Sequence, residues 1–316
     1  MQKIKVQNPI NALLSIICTT FNHEKYIIQT IESFLMQKTT FIFNIVIHDD
    51  ASTDNTKKIL KSYQEKYPHI IKLILQQENQ YSKKEGNLVA RFVLPSIKAK
   101  YIAKCEGDDY WTDPYKLQKQ VDFLENNTDF SASTHQTTVI LKNNQTRLFK
   151  KNTQSVYSLN DLLTTRVFHT ASIVFHTKII KENSFAKNIT SGDRALFFLL
   201  ASKGKINFFQ DSMAIYRKHA GGISSWISID LIKKDMNIIP WISAINPDFP
   251  KNKYKSFIYK TIFTYPTFVG MKNVCQYYLL YLIFSFSYFP KNILPLIKFT
   301  LKELPLIIKN NINKKK

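Results

Sequence analysis

The sequence predicts an α/β protein. A mainly parallel, twisted sheet with helices on both faces is expected over residues 1–225, followed by an all-helical extension over 226–316. Three observations carry this. Short β-branched apolar runs alternate with amphipathic stretches up to about residue 130, the pattern of parallel strands joined by right-handed crossovers. Polar and acidic clusters follow the first, second and fourth of these runs, so they gather at one end of the sheet, where ligands bind in such folds. After about residue 228 the chain turns to long apolar-aromatic stretches spaced by lysine.

Each element has its own reason. LLSIIC (13–18) has the length and branching of a buried strand, and Ile27, Ile28, Ile31, Phe34 and Leu35 follow it at helical spacing. FIFNIVIH is the second strand, and Ser52, Thr53 and Asp54 cap the helix NTKKILKSYQEKY. IIKLILQ is the third strand, GNLVARFVLPSI the third helix and YIAKCEG the fourth strand. Asp113 and Pro114 suit the N-cap and first position of the helix YKLQKQVDFLEN. Strands are expected at SASTHQTTVILK, TASIVFH and INFFQDSMAIYRKH, with GDRALFFLLASKG a helix that stops at Gly204.

Composition narrows the class. With 44% hydrophobic residues over 316 positions, a sizeable core is expected. Lysine and arginine outnumber acids 44 to 23, which suits anionic partners. The lysines are dispersed and the acids converge, which argues against a nucleic-acid-binding protein. Cys18, Cys105 and Cys275 lie far apart, so no disulfide framework is expected and a cytoplasmic, reducing compartment fits. The N-terminal apolar run is too short for a signal peptide and lacks a small-residue cleavage site.

In CEGDDYWTDP (105–114), Glu106, Asp108, Asp109 and Asp113 crowd together in a chain of net charge +21. Such crowding costs energy unless a cation sits between the carboxylates. Hard divalent ions, Mn²⁺ or Mg²⁺, favour carboxylate oxygen and bind through one or two carboxylates plus substrate phosphates. Asp113 is assigned to capping instead. Of only seven glycines, Gly107, Gly192, Gly221 and Gly222 flank polar residues, where close backbone approach to a ligand is useful. Trp111 and Tyr110 suit either stacking on a ligand or helix packing, and His169 suits the core.

Together TTFNHEKYIIQTIESFLMQ, VIHDDASTDNT, ARF and YIAKCEGDDYW resemble the inverting glycosyltransferases of family 2, whose GT-A domain binds nucleotide-diphospho-sugars. The resemblance covers about residues 12 to 222. It implies that Thr19, Phe21, Asn22 and Glu24 lie against the nucleoside, and that Asp49 and Asp50 receive the base and ribose. Arg91 would approach the nucleotide. Glu106-Gly107-Asp108-Asp109 corresponds to the acidic metal motif, with Asp108 the prime ligand beside the nucleotide, Asp109 and His219 further ligands, and Glu106 and Arg217 supporting the diphosphate. Glu106 stands where the family has Asp, and ARF where it often has ARN. TSGDRALFFLLASKGKI resembles the catalytic motif, making Asp193 the general base. The implied partners are a nucleotide-sugar donor, a UDP-sugar first, and a glycan or lipid-linked glycan acceptor. Lipopolysaccharide, lipooligosaccharide or capsule assembly is the implied setting. A nucleotidyltransferase is the nearest alternative, but TTFNHEK lacks its glycine-rich phosphate loop; a non-catalytic basic binding protein is the other.

Residues 273–290 carry no charge but fall slightly short of a membrane span. Lys291, Lys298, Lys302, Lys309 and Lys314 to Lys316 follow, opposed by Glu303. This pattern leads to an expected peripheral contact with an anionic membrane, on its cytoplasmic face.

Overall fold

The computed structural model describes residues 12–83, 85–151, 153–183, 185–219, 221, 228–264, 271–287 and 305. The chain divides into two compact units. The first comprises 1–159, 166–185 and 196–222, and the second 160–165, 186–195 and 223–316. The second unit thus takes in two segments that lie before residue 225.

The chain runs β1 (Leu14–Thr20), α1 (Ile27–Leu35), β2 (Phe43–Asp49), α2 (Thr56–Lys66), β3 (Ile71–Leu75), β4 (Tyr101–Lys104), β5 (Tyr110–Trp111) and α3 (Lys116–Asn126). It continues through β6 (Phe130–Ile140), β7 (Thr146–Leu148), β8 (Val156–Tyr157), α4 (Leu159–Leu162), β9 (Val174–His176), α5 (Thr177–Lys181), α6 (Gly192–Lys203) and β10 (Lys205–Arg217). The sheet order is β3-β2-β1-β4-β9-β6-β10-β5, with β7 on β6 and β8 on β10.

The directions of these strands position everything that follows. β1 pairs in parallel with β2 and β4, and β2 with β3. β9 is antiparallel to both β4 and β6, and β10 is parallel to β6. Two reversals restore the direction, so β6 and β10 run the same way as β1 to β4. The turns after β1, β2, β4 and β10 therefore open at one edge of the sheet. Leu14, Ile16 and Cys18 of β1, Ile45 and Ile47 of β2 and Tyr101 and Ala103 of β4 are buried with Ile27, Ile31 and Phe34 of α1. Spaced two apart along each strand, these residues share one face of the sheet, and the near-continuous burial of β1 shows that its other face is covered too.

Two local expectations change. The stretch read as a third helix forms a π-helical turn, Val89–Val93, and a 3₁₀ turn, Leu94–Ser96, before the backbone extends at Ile97. Pro95 lacks the N–H that a longer helix would need. In TASIVFH a 3₁₀ turn takes Thr170–Ser172, leaving only three residues for β9. Gly204 has a clear cause, since a Cβ there would sit 2.9 Å from both the Asp129 carbonyl and the Ser131 nitrogen.

Beyond residue 228 the described part of the second unit is built on α7 (Ile229–Lys234), α8 (Ile238–Ile245), α9 (Lys251–Phe263) and α10 (Met271–Phe286). Phe263 of α9 packs on Tyr278 and Tyr281 of α10, and Ser256 and Ser285 meet at 2.6 Å between the same helices. Among the described residues no helix is long and apolar enough to cross a membrane. Gly222 and the late lysines, Lys291 to Lys316, lie outside the described residues.

Candidate active site

The turn after β4 is held against the start of the sheet. Gly107 N–H donates to the Thr19 carbonyl at 2.9 Å, and a Cβ on Gly107 would lie 2.7 Å from Thr20 Oγ1 and 2.9 Å from His23 Nδ1. Only glycine lets these two chains approach so closely. From α1, the buried Thr30 hydroxyl lies 2.9 Å from the Gly107 carbonyl and 2.7 Å from the Asp109 carbonyl, donating to one at a time.

This turn sends its two aspartates apart. Asp108 Oδ2 lies 2.9 Å from His219 Nε2 and 3.8 Å from His23 Nε2, all three side chains half-buried. Burial holds the His23 imidazole below its usual pKa against the pull of Asp108, which favours the neutral, metal-ligating form. Asp109 points the other way. It is fully buried, accepts the Arg217 N–H at 3.0 Å, and groups with Glu106 and His169. Burial, then the neighbouring Asp108 and Glu106, pushes its carboxyl well above the usual carboxylate range. The expectation of Asp108 and Asp109 as joint ligands with His219 thus changes: Asp108 and His219 come together, and Asp109 is drawn into the core. His23, which the sequence reading did not single out, is the third member of that group. Its signal was its place in TTFNHE, directly after a parallel strand.

Arg217, at the end of β10, donates Nη1 to the Asp108 carbonyl at 2.5 Å and Nη2 to Gln29 Oε1. Its guanidinium lies over the rings of Tyr110 (4.3 Å) and Tyr26 (5.3 Å). Tyr110 therefore serves the site's frame through Arg217. Trp111 is core: it is buried against Phe34, and its Nε1 donates to the Ala171 carbonyl at 2.8 Å. His169 is likewise buried, stacked on Tyr216 at 4.2 Å. Asp113 Oδ1 accepts the Tyr115 N–H at 2.7 Å, as a residue at the start of α3 should.

The turns after β1 and β2 interlock. Asn22, at φ 55°, donates its N–H to Ser52 Oγ and accepts the Thr53 N–H. His23 N–H donates to Thr56 Oγ1, Glu24 N–H to Asp54 Oδ2, and Glu24 Oε2 accepts the Asn55 N–H. Asp49 is buried and accepts both the N–H and the hydroxyl of Ser52. Asp50 accepts the N–H groups of Gln80 and Tyr81, each at 2.9 Å. Both carboxylates thus order loops at the strand ends. Thr19 is half-buried beside them, and Phe21 stands 42% exposed at the rim. Arg91 pairs with Glu85 at 2.7 Å and lies over Phe92, which stacks on the buried His48 of β2.

Asp193 belongs to the second unit and is described there. It occupies the first turn of α6 and accepts the Arg194 N–H at 2.8 Å. The buried Asp235, which the sequence reading did not single out, accepts the N–H groups of Thr190 and Ser191 just before it. Gly192 meets nothing within 4 Å, so close packing does not require glycine there.

Two imidazoles and a carboxylate from three separate strand-end segments make a donor set suited to a divalent cation. Comparison with known proteins gives the family and the fold. The Mycobacterium tuberculosis protein Rv1520 is 34% identical over 214 residues, which are 66% of this chain and 60% of the relative. The chain therefore spans less than two thirds of that relative's length. The Nostoc glycosyltransferase alr2836 is 28% identical over 217 residues, 65% of each chain. In fold, S. aureus TarS 1–349 in complex with UDP-GlcNAc superposes with TM-score 0.64 at 17% identity, covering 87% of this chain and 81% of that one. The Pyrobaculum calidifontis mannosyltransferase PcManGT, in complex with GDP-Man and Mn²⁺, superposes with TM-score 0.56 at 14% identity, covering 95% and 82%. The family model for glycosyl transferase family 2 matches residues 15–197, more than half of the chain, which carry β1 to β4, the acidic turn and the start of α6; the chain belongs to glycosyl transferase family 2.

Proposed function

We propose that the chain is a metal-dependent, inverting glycosyltransferase that moves a sugar from a nucleoside-diphosphate donor to an acceptor hydroxyl. The observation that carries this reading is the meeting of Asp108 and His219 at 2.9 Å, where the turns after parallel strands open. A UDP-sugar is the first donor candidate, supported by the UDP-GlcNAc bound to TarS, with a GDP-sugar next, by the GDP-Man bound to PcManGT. The acceptor is read as a glycan or lipid-linked glycan of the bacterial surface.

In this reading Asp108 and His219 hold Mn²⁺ or Mg²⁺, which when bound offsets negative charge on the leaving diphosphate. Arg217 supports the site by fixing the Asp108 backbone. Thr19, Phe21, Asn22, Glu24, Asp49, Asp50 and Arg91 form the nucleoside side, and Glu106 supports the diphosphate side. The Asp193 carboxylate takes the acceptor's hydroxyl proton while that oxygen attacks the anomeric carbon. The carbon–oxygen bond to the diphosphate breaks on the opposite face, so the configuration inverts.

Residues 226–316 are read as an extension that rests on the cytoplasmic face of an anionic membrane. Leu279, Ile283 and Phe286 support this: at a spacing of four and three residues along α10, each is at least half exposed. The test is donor hydrolysis with a panel of nucleotide sugars and Mn²⁺, for wild type and Asp193→Asn. Hydrolysis of one donor by the wild type is expected. With water as the acceptor, that hydrolysis falls on the order of 10²- to 10⁴-fold in the variant, the scale of general-base catalysis. A folded wild type that binds no nucleotide sugar overturns the reading.

A further inference from the structure

We propose that His23, on the turn after β1, is a third protein ligand of the divalent ion, and that it shifts the site's preference from Mg²⁺ toward transition ions. The inference rests on the metal-dependent reading above and adds to it a ligand and a metal class.

Position is the first argument. His23 Nε2 lies 3.8 Å from Asp108 Oδ2, and the candidate donor atoms of His23, Asp108 and His219 all lie within 4.8 Å of one another. An ion that takes Asp108 and His219 has His23 within reach after side-chain adjustments alone. The ring is also constrained. His23 N–H is tied to Thr56 Oγ1, and the ring stands edge-on to Tyr26 and His219 at centroid distances of 6.3 and 6.2 Å. Its other nitrogen, Nδ1, is buried where a side chain on Gly107 would fall, and has no hydrogen-bond partner among the described residues. A buried ring nitrogen without a partner is costly in a residue that only fills space. A ring held so that Nε2 faces a carboxylate and a second imidazole accounts for that cost.

Chemistry supplies the metal class. Carboxylate and water suit Mg²⁺ and Mn²⁺, whereas each added imidazole nitrogen moves a site toward the later first-row ions, with Co²⁺ ahead of Mn²⁺. Two imidazoles with one carboxylate favour Mn²⁺ and Co²⁺ over Mg²⁺, and three protein donors leave positions for diphosphate oxygens and water. The three ligands come from the turns after β1, β4 and β10. Because the first of these interlocks with the turn after β2, metal binding would also brace the loops around Asp49 and Asp50.

Full-length protein titrated with Mn²⁺, Co²⁺ and Mg²⁺ tests this without reference to activity. Pulsed electron paramagnetic resonance of the Mn²⁺ form, with ¹⁵N-labelled histidine, counts coordinated imidazoles directly in the wild type. Two imidazoles are expected, falling to one in His23→Ala, while Mn²⁺ and Co²⁺ affinity drops on the order of 10- to 100-fold. Mg²⁺ should bind the wild type more weakly than Mn²⁺ and lose little in the variant. His23→Gln serves as the second variant should the alanine form fail to fold. A single imidazole in the wild type, or unchanged Mn²⁺ affinity in a folded variant, overturns the role of His23 and leaves the metal-dependent reading standing. No Mn²⁺ bound by the wild type, with or without UDP, defeats both.

Discussion

Two carboxylate groups share the turn Glu106–Asp109: Asp108 with His219 and His23, all half-buried, and Asp109 with His169, both buried, beside the half-buried Glu106. The aspartates are adjacent in sequence and identical in chemistry. What separates them is burial. Asp108 keeps a face toward solvent and two imidazoles, the surroundings of a carboxylate that can exchange partners. Asp109 lies in the core, where ionisation is disfavoured and its oxygen secures the Arg217 backbone. A run of acids in a sequence is therefore not a set of equivalent groups; the turn that carries it leaves Asp108 partly open and buries Asp109.

The contrast breaks first in activity. Asp108→Asn should lower metal-dependent donor hydrolysis on the order of 10²- to 10³-fold, the scale of losing a group that supports transition-state charge. Asp109→Asn retains an acceptor for the Arg217 N–H, so it should leave hydrolysis near wild type and shift stability by about 1 kcal/mol or less. Steady-state hydrolysis and thermal melts of both variants decide the matter; equal losses would erase the distinction between the two groups.

Gly107 sharpens it next. A methyl group there meets Thr20 Oγ1 and Cβ at 2.7 and 2.8 Å and His23 Nδ1 at 2.9 Å. Gly107→Ala should destabilise the protein by about 1–3 kcal/mol, the usual cost of overpacking. It should also weaken Mn²⁺ binding, because the displaced ring belongs to the Asp108 group. A melt within about 1 °C of wild type would show that the turn yields freely.

The smallest effect concerns a buried lysine against Trp111. Lys116 is fully buried over the Trp111 ring at 4.1 Å, bonded to Gln120 Oε1 at 2.8 Å, and burial brings its pKa down to about 7. The unfolded chain binds a proton near pH 10.5 that the folded chain resists until about pH 7. Stability should therefore fall as pH drops across that window, by at most about 1.4 kcal/mol per pH unit for one proton. Lys116→Met should flatten this slope, melting above wild type at pH 7 and converging with it near pH 10.5. Asp109 acts with the opposite sign: its raised pKa means stability is lost as pH rises through that value. Melting curves across pH separate the two contributions.

Much of this was legible beforehand because strand and helix periods are local. LLSIIC, FIFNIVIH and YIAK became β1, β2 and β4, and the polar clusters after them do share an edge of the sheet. The helix read over GNLVARFVLPSI formed only as a π-helical turn and a 3₁₀ turn, ending where Pro95 removes an N–H. The parting of Asp108 from Asp109 was out of reach, because it depends on how a two-residue turn is pinned by Thr30 and Arg217, residues 79 and 108 positions away. His23 was within reach, in a strand-end cluster already recognised as significant. Yet no glycine or acid adjoins it in TTFNHEK except Glu24, so nothing in its immediate sequence sets it apart from a surface histidine.

The interlocked turns after β1 and β2 have a practical bearing on redesign. Asn22, His23 and Glu24 bond to Ser52, Thr53, Asp54, Asn55 and Thr56 through main-chain and side-chain groups alike. Anyone exchanging either of these loops for a foreign one would have to transplant both as one cassette, because either half alone arrives without its counterpart.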